Sequence, residues 1–151
     1  MKSFSLLLFL FLGFLPLTHS QSEVYDSTLA KKLGADDYGM KMYVMVVLKT
    51  GDSTVENTQL RDSLFSGHMK NIHQMAEDGK LIVAGPFGKN DQEYRGIFIL
   101  DVATIEDARD LMKGDPAIQG DLLKAQYLLW YGSAALPLYL EHHQKIEKTK
   151  P

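Results

Sequence analysis

Cysteine is absent from the 151-residue sequence, and several kinds of chemistry are absent with it. Without a thiol the chain has no cysteine nucleophile, no cysteine-ligated zinc site and no disulfide framework. Basic residues are also in the minority, since 16 lysines and arginines face 19 acidic residues and the formal net charge is −3. A mildly acidic chain without a basic patch does not fit a nucleic-acid-binding protein. The fold must therefore depend on its hydrophobic core.

A continuous apolar run opens the chain and has the layout of an export signal. Residues 6–17 are apolar, follow the basic start Met1-Lys2 and precede the short segment 18–20. This order is typical of a secretory signal peptide cleaved after Ser20. The run is shorter than the about 20 apolar residues of a membrane-spanning helix. We therefore expect an exported chain, periplasmic or secreted, with no membrane contact after cleavage and one domain in the remaining 131 residues (151 minus 20).

Hydrophobic periodicity and glycine or proline stops divide the rest of the chain into an arm, a domain and a tail. We predict an N-terminal arm over residues 21–39, a domain over 40–132 and a helical tail over 133–151. The domain's elements follow the order β-α-β-β-α-β, which is the ferredoxin-like arrangement of an α+β fold with an antiparallel sheet. The predicted strands cover 40–49, 81–84, 96–102 and part of 122–131, and the predicted helices cover 60–79 and 104–114.

Two strands are apolar on both faces, although two helices can cover only one face of a four-stranded sheet. The segments are 40–48 and 97–100. Antiparallel sheets with a solvated face normally alternate polar and apolar residues. We expect the second face to meet the sheet of a second copy in a two-fold dimer. The alternative is that the C-terminal tail folds back over this face.

A histidine occupies the apolar face of the first predicted helix. Its apolar residues recur at helical spacing, so they predict one buried stripe: Leu60, Leu64, Phe65, Met69, Ile72, Met75 and Ala76. At about 100° per residue His68 falls on that stripe, whereas His73 points to solvent. A buried imidazole needs a polar partner, because an unsatisfied polar group costs about 1–3 kcal/mol. His68 is therefore either a satisfied structural histidine or a catalytic one.

The other polar candidates carry weaker signals. Asp115 precedes Pro116, which is the pattern of a helix N-cap followed by a favoured first helical residue. His142 and His143 are adjacent and face different sides of a helix, so they form a poor metal site. Three aromatic residues of the last strand are candidates for a pocket or for the core: Tyr127, Trp130 and Tyr131. We find no signature of a metal, a nucleotide or a covalent cofactor.

Four short segments, taken in order, resemble the YciI-like family, whose members carry a YCII-related domain. They are Gly67-His68-Met69, residues 77–81, the strand end Val83-Ala84-Gly85-Pro86, and Gly114-Asp115-Pro116. The likeness covers about residues 42–130. It implies a ferredoxin-like subunit of the dimeric α/β-barrel type and a His–Asp pair in a cleft, carried here by His68 and Asp115.

The resemblance also implies a class of activity. The family includes a lyase that removes chloride from a hydroxylated aromatic ring, so we expect a small-molecule enzyme of lyase or isomerase type with a His–Asp acid/base pair. Many relatives carry arginine three residues before the histidine, where this chain has Phe65, and Arg61 is the candidate replacement. We predict Arg61, Gly85 and Pro86 as substrate-binding residues. The alternative function is a non-catalytic ligand-binding or structural dimeric domain.

Overall fold

The computed structural model describes residues 24–149, so the predicted signal peptide over 1–20 lies outside the described residues. In chain order the elements are α1 (Ser27–Leu33), β1 (Met40–Thr50), α2 (Thr58–Glu77), β2 (Leu81–Pro86), β3 (Tyr94–Leu100), α3 (Ile105–Met112), α4 (Pro116–Gln119), β4 (Leu123–Ser133), a 3-10 helix (Leu136–Tyr139) and α5 (Leu140–Ile146). Among residues 24–149, no helix combines the length and the hydrophobicity that a membrane span requires.

The four strands form one antiparallel sheet in the order β2-β3-β1-β4. Strand β1 is central, and its Val44 lies between Leu100 of β3 and Leu129 of β4. Helices α2, α3 and α4 contribute to a core cluster on one face of this sheet. The strand order and the helices between the strands confirm the ferredoxin-like α+β fold.

The observed ends differ from the predicted ones in several places: β3 ends at Leu100 rather than at residue 102, and side chains that close turns explain two of the other differences. Strand β3 begins at Tyr94, two residues before the predicted start, because Asn90 bonds both the amide and the carbonyl of Tyr94 across the preceding loop. Helix α2 begins at Thr58 because Asn57 caps it, accepting from the Leu60 amide at 3.0 Å. The tail is also shorter and less regular than predicted, since a 3-10 turn precedes the seven-residue α5.

The buried stripe of α2 is narrower than the periodicity predicts. Only His68 and Met75 of this helix are buried. Leu60 is 51% exposed, Phe65 is 40% exposed and Ala76 is also exposed, so the prediction that these three belong to the buried stripe is wrong. Periodicity identifies the face of a helix, but it does not say how much of that face lies over the sheet.

The opposite face of the sheet is partly covered by the C-terminal tail. Tyr43, Ile82 and Ile99 are buried there, and Leu136 and Leu140 pack against them. The Tyr43 hydroxyl also donates to the carbonyl of Ser133 at 2.9 Å. The tail therefore folds back over part of this face, which is the alternative that the sequence left open. Other side chains of the face remain half-exposed, among them Met45, Val47 and Ile97.

Candidate active site

Helix α2 positions His68, the first side chain of the candidate pair. The helix runs for 20 residues from the cap at Asn57, and the left-handed Gly79 (φ 67°) follows its C-cap Asp78. His68 lies near the middle of the helix and is only 7% exposed. His73 is exposed. The predicted placement of both histidines is confirmed.

Helix α4 positions Asp115, the second side chain of the candidate pair. Asp115 is its N-cap, and Oδ1 accepts hydrogen bonds from the amides of Ala117 at 3.0 Å and Ile118 at 3.3 Å. Pro116 is the first helical residue, as the Asp-Pro pattern predicts. The side chain of Asp115 is completely buried. A carboxylate in that position requires several partners, because an uncompensated buried charge is strongly destabilising.

The two side chains form a buried hydrogen-bonded pair. His68 Nδ1 lies 2.7 Å from Oδ2 of Asp115, a distance typical of a charge-assisted hydrogen bond. Capping and pairing are therefore not alternatives for Asp115, since one carboxylate oxygen caps α4 and the other binds the imidazole. A carboxylate at Nδ1 fixes the proton on that nitrogen and leaves the Nε2 lone pair free to act.

A close approach between α2 and α4 brings the pair together. A Cβ atom built on Gly67 would lie 2.6 Å from Cγ of Pro116, which is well inside van der Waals contact. Glycine is therefore required beside His68, because a larger residue would push Pro116 and the adjacent Asp115 away from α2. This contact gives a physical reason for the Gly-His and Asp-Pro dipeptides in the sequence.

Asn71 is a site residue that the sequence reasoning missed. Its Nδ2 donates to Oδ2 of Asp115 at 3.3 Å, so it shares that oxygen with His68. It lies three residues after His68, a spacing that places two side chains on the same side of a helix. That spacing was the available signal, but it acquires meaning only once Asp115 is known to face α2.

Aromatic rings flank the imidazole on two sides. Phe65 meets His68 edge-on with ring centroids 6.3 Å apart, and Phe98 of β3 lies at 6.0 Å with a tilt of 30°. Within residues 24–149, no side-chain nitrogen or oxygen is both fully buried and without a hydrogen-bond partner. The only hydrogen bond that His68 makes through its side chain in this part of the chain uses Nδ1. Nε2 therefore has no hydrogen-bond partner within the described residues and is not fully buried.

A sequence profile of the YCII-related domain matches residues 42–130, more than half of the chain. The chain belongs to the YCII-related domain family. Among solved structures it is similar to the 5-chloro-2-hydroxyhydroquinone dehydrochlorinase of Burkholderia phenoliruptrix AC1100, in complex with 2,5-dihydroxybenzoquinone, at 16% identity and a TM-score of 0.41. That likeness covers 58% of this chain and 92% of the other. No curated protein matches the sequence.

The electrostatics of this YCII-related domain favour an ionised carboxylate. Burial acts to raise the pKa of Asp115, but the hydrogen bond and the charge of His68 act in the opposite direction, with further help from the Ile118 amide and Asn71. The pKa of Asp115 consequently lies below its ordinary value of 3.8. An ionised Asp115 can therefore accept the hydrogen bond from Nδ1 and orient the His68 ring.

The predicted substrate-binding residues do not bond to the pair in the described part of the chain. Arg61 is exposed, and its Nε lies 3.9 Å from the neighbouring Asp62. Gly85 and Pro86 belong to β2, which runs two residues further than predicted, and they pair with β3. A role for these residues in substrate binding stays a prediction.

The remaining candidates separate on the two faces of the sheet. Tyr127 packs against the core beneath the helices, with Arg109 above its ring at 4.7 Å, whereas Trp130 packs against Tyr43 on the other face. Tyr131 is exposed and donates to Asp36. Residues 24–149 contain no group of three or more acidic or histidine side chains placed to share a metal ion.

Proposed function

We propose that this YCII-related protein is a small-molecule enzyme in which His68 acts as general acid/base and Asp115 orients it. The observation that carries the proposal is the 2.7 Å bond from Nδ1 to a fully buried carboxylate. Histidine exchanges protons near neutral pH, and a carboxylate at one ring nitrogen leaves the other available for the substrate.

The surroundings of the imidazole favour an apolar or aromatic substrate. The rings of Phe65 and Phe98 border His68, and Phe65 is 40% exposed. Aromatic side chains contact flat apolar molecules through offset stacking or edge-to-face packing. Arg61 lies seven residues before His68, about two helical turns away, and is engaged with Asp62 at the surface. We therefore propose a substrate that is recognised mainly by its ring and presents an exchangeable proton to Nε2.

The catalytic step that we propose is a proton transfer through a single nitrogen. Nε2 takes a proton from carbon or oxygen of the substrate, and the electron pair left behind is available to expel a leaving group or to shift a double bond. The same proton then returns from Nε2 to the product or to the leaving group. This sequence needs no oxidant or reductant, and it accommodates both the lyase and the isomerase class.

His68→Gln is the test of this proposal. A panel of hydroxylated aromatic, chlorinated hydroxyquinol and lactone compounds is first screened by thermal shift, and the compounds that bind are then assayed for turnover. General acid/base catalysis contributes about 10²–10⁴-fold, so the variant should lose kcat/KM by that factor. His73→Gln, which changes an exposed histidine of the same helix, is the control and should keep wild-type turnover.

Two outcomes would contradict the proposal. Full turnover by His68→Gln would show that the pair is not catalytic. Binding of panel compounds without conversion of any of them would favour the alternative function, a non-catalytic ligand-binding domain.

A further inference from the structure

The Asp115 carboxylate is surrounded by hydrogen-bond donors. Oδ1 faces the amides of Ala117 and Ile118, and Oδ2 faces His68 Nδ1 at 2.7 Å and Asn71 Nδ2 at 3.3 Å. Two oxygens offer about four lone-pair positions, so these four donors use the full acceptor capacity of the group. The Asn71 amide is the only one of the four donors that is neither part of the proposed pair nor part of the α4 backbone.

This arrangement determines whether the shared proton lies on Nδ1 of His68 or on Oδ2 of Asp115. If Nδ1–H passed its proton to Oδ2, the new hydroxyl would have to coexist with the Asn71 N–H directed at the same oxygen. A donor directed at a carboxylate stabilises the charged form, so Asn71 opposes that transfer. The proton is thereby kept on the imidazole, and only Nε2 exchanges protons with the substrate.

We infer that Asn71 is a positioning residue, which holds Asp115 ionised with Oδ2 directed at His68 and so confines proton exchange to Nε2. The inference rests on the proposed function, because the orientation of His68 by Asp115 is part of it. Asn71 touches no reacting atom and acts through the carboxylate alone.

The experiment is a carbon-13 NMR titration of the Asp115 carboxyl in the full chain. Asn71→Leu removes the donor at nearly constant size, and the titration midpoint of Asp115 should rise by roughly 0.5–1 pH unit. Gln74→Leu is the matched control, because Gln74 also bonds a carboxylate through its amide, that of the exposed Asp78 at 3.0 Å. The control should leave the Asp115 midpoint unchanged.

A second variant and a second signal make the result decisive. In Asn71→Ala, as in Asn71→Leu, the Nδ1–H proton resonance of His68 should move to lower field, because Oδ2 then accepts from the imidazole alone. An unchanged Asp115 midpoint in folded Asn71→Leu would overturn the inference. Failure of both variants to fold would also overturn it, since Asn71 would then be a structural residue. Neither NMR signal requires a substrate, so this test fails independently of the His68→Gln assay.

Discussion

Beneath the helices, Val44 and Leu100 are completely inaccessible to solvent, whereas on the other face of the same sheet Met45 and Val47 remain half-exposed beside the short C-terminal tail. The alternation of side chains along β1 places neighbouring residues in these two environments. The helix-covered face is closed within one chain. The opposite face depends on a tail that covers only part of it.

The difference between the faces explains where the polar chemistry lies. The His68–Asp115 bond sits between α2, α4 and β3, where water is excluded and a hydrogen bond to a charged group is strengthened. The opposite face holds an apolar cluster around Tyr43, whose hydroxyl is bonded to the Ser133 carbonyl. One face thus holds the buried His68–Asp115 pair, and the other holds an apolar cluster that the C-terminal tail covers only in part.

The largest effect on stability is expected when a charge is placed on each face of the sheet in turn. Val44→Asp buries a carboxylate in a fully closed core and should destabilise the fold by about 4 kcal/mol or more. Val47→Asp faces the half-open side and should cost less than about 1 kcal/mol in the monomer. We propose that this open face pairs with a second copy, so Val47→Asp should shift a dimer towards monomer. Urea unfolding and light scattering measure the two effects.

Either of two results would contradict the difference that we describe between the helix-covered face and the half-open face of the sheet. Equal destabilisation by both substitutions would mean that the tail closes the second face as fully as the helices close the first. A wild-type chain that is monomeric at micromolar concentration would refute the sheet-face dimer, whatever the stability of the variants.

Much of the fold could be predicted because its helices and strands follow from local patterns in the sequence. Alternating and helical periodicities, with glycine stops, were sufficient for the order of the strands and helices. They also placed His68 on the buried side of α2 and His73 on the exposed side. The same periodicity was wrong for Leu60, Phe65 and Ala76, because it carries no information on the extent of the sheet beneath a helix.

The candidate site was only partly predictable because its contacts are long-range. His68 and Asp115 are 47 residues apart, and only the resemblance to a family linked them before the structure was known. Asn71 was missed because its spacing of three residues from His68 has no meaning until Asp115 is known to face α2. It gains a partner only when the Gly67–Pro116 contact brings α4 against α2.

A smaller change in stability is expected at alkaline pH, from Tyr43 on the tail-covered face. Burial, with a further contribution from the charge of Asp101, raises the pKa of Tyr43 to about 12. The folded state therefore keeps a proton that the unfolded state releases above about pH 10. The stability linked to this group is complete below about pH 10 and is lost as the pH approaches 12, a change of about 2–3 kcal/mol.

Tyr43→Phe should reduce this loss of stability at alkaline pH, and urea unfolding between pH 8 and 12 measures the loss. The variant also loses the bond to Ser133, so it should be less stable by about 1 kcal/mol at pH 8. The pKa values of Tyr127, Tyr131 and Tyr139 are raised as well, so some decline will persist. Tyr38→Phe, at an exposed position, is the control. An alkaline decline in Tyr43→Phe as steep as in the wild type would assign it to the other tyrosines.

The helix-covered face should instead be sensitive to acid, with an expected effect of about 1–3 kcal/mol for the loss of hydrogen bonds to a buried charge. Because the pKa of Asp115 is lowered in the folded state, its contribution is present above about pH 4 and is lost as the pH falls further. Asp115→Asn removes this charge at nearly constant size. Its stability deficit relative to the wild type should therefore be largest at pH 6 and shrink towards pH 3, as measured by urea unfolding.

Asp110→Asn, on the exposed surface of α3, is the control and should change stability by less than about 0.5 kcal/mol at each pH. A deficit in Asp115→Asn that is independent of pH would show that the ionisation of Asp115 does not stabilise this face, because asparagine can still cap α4.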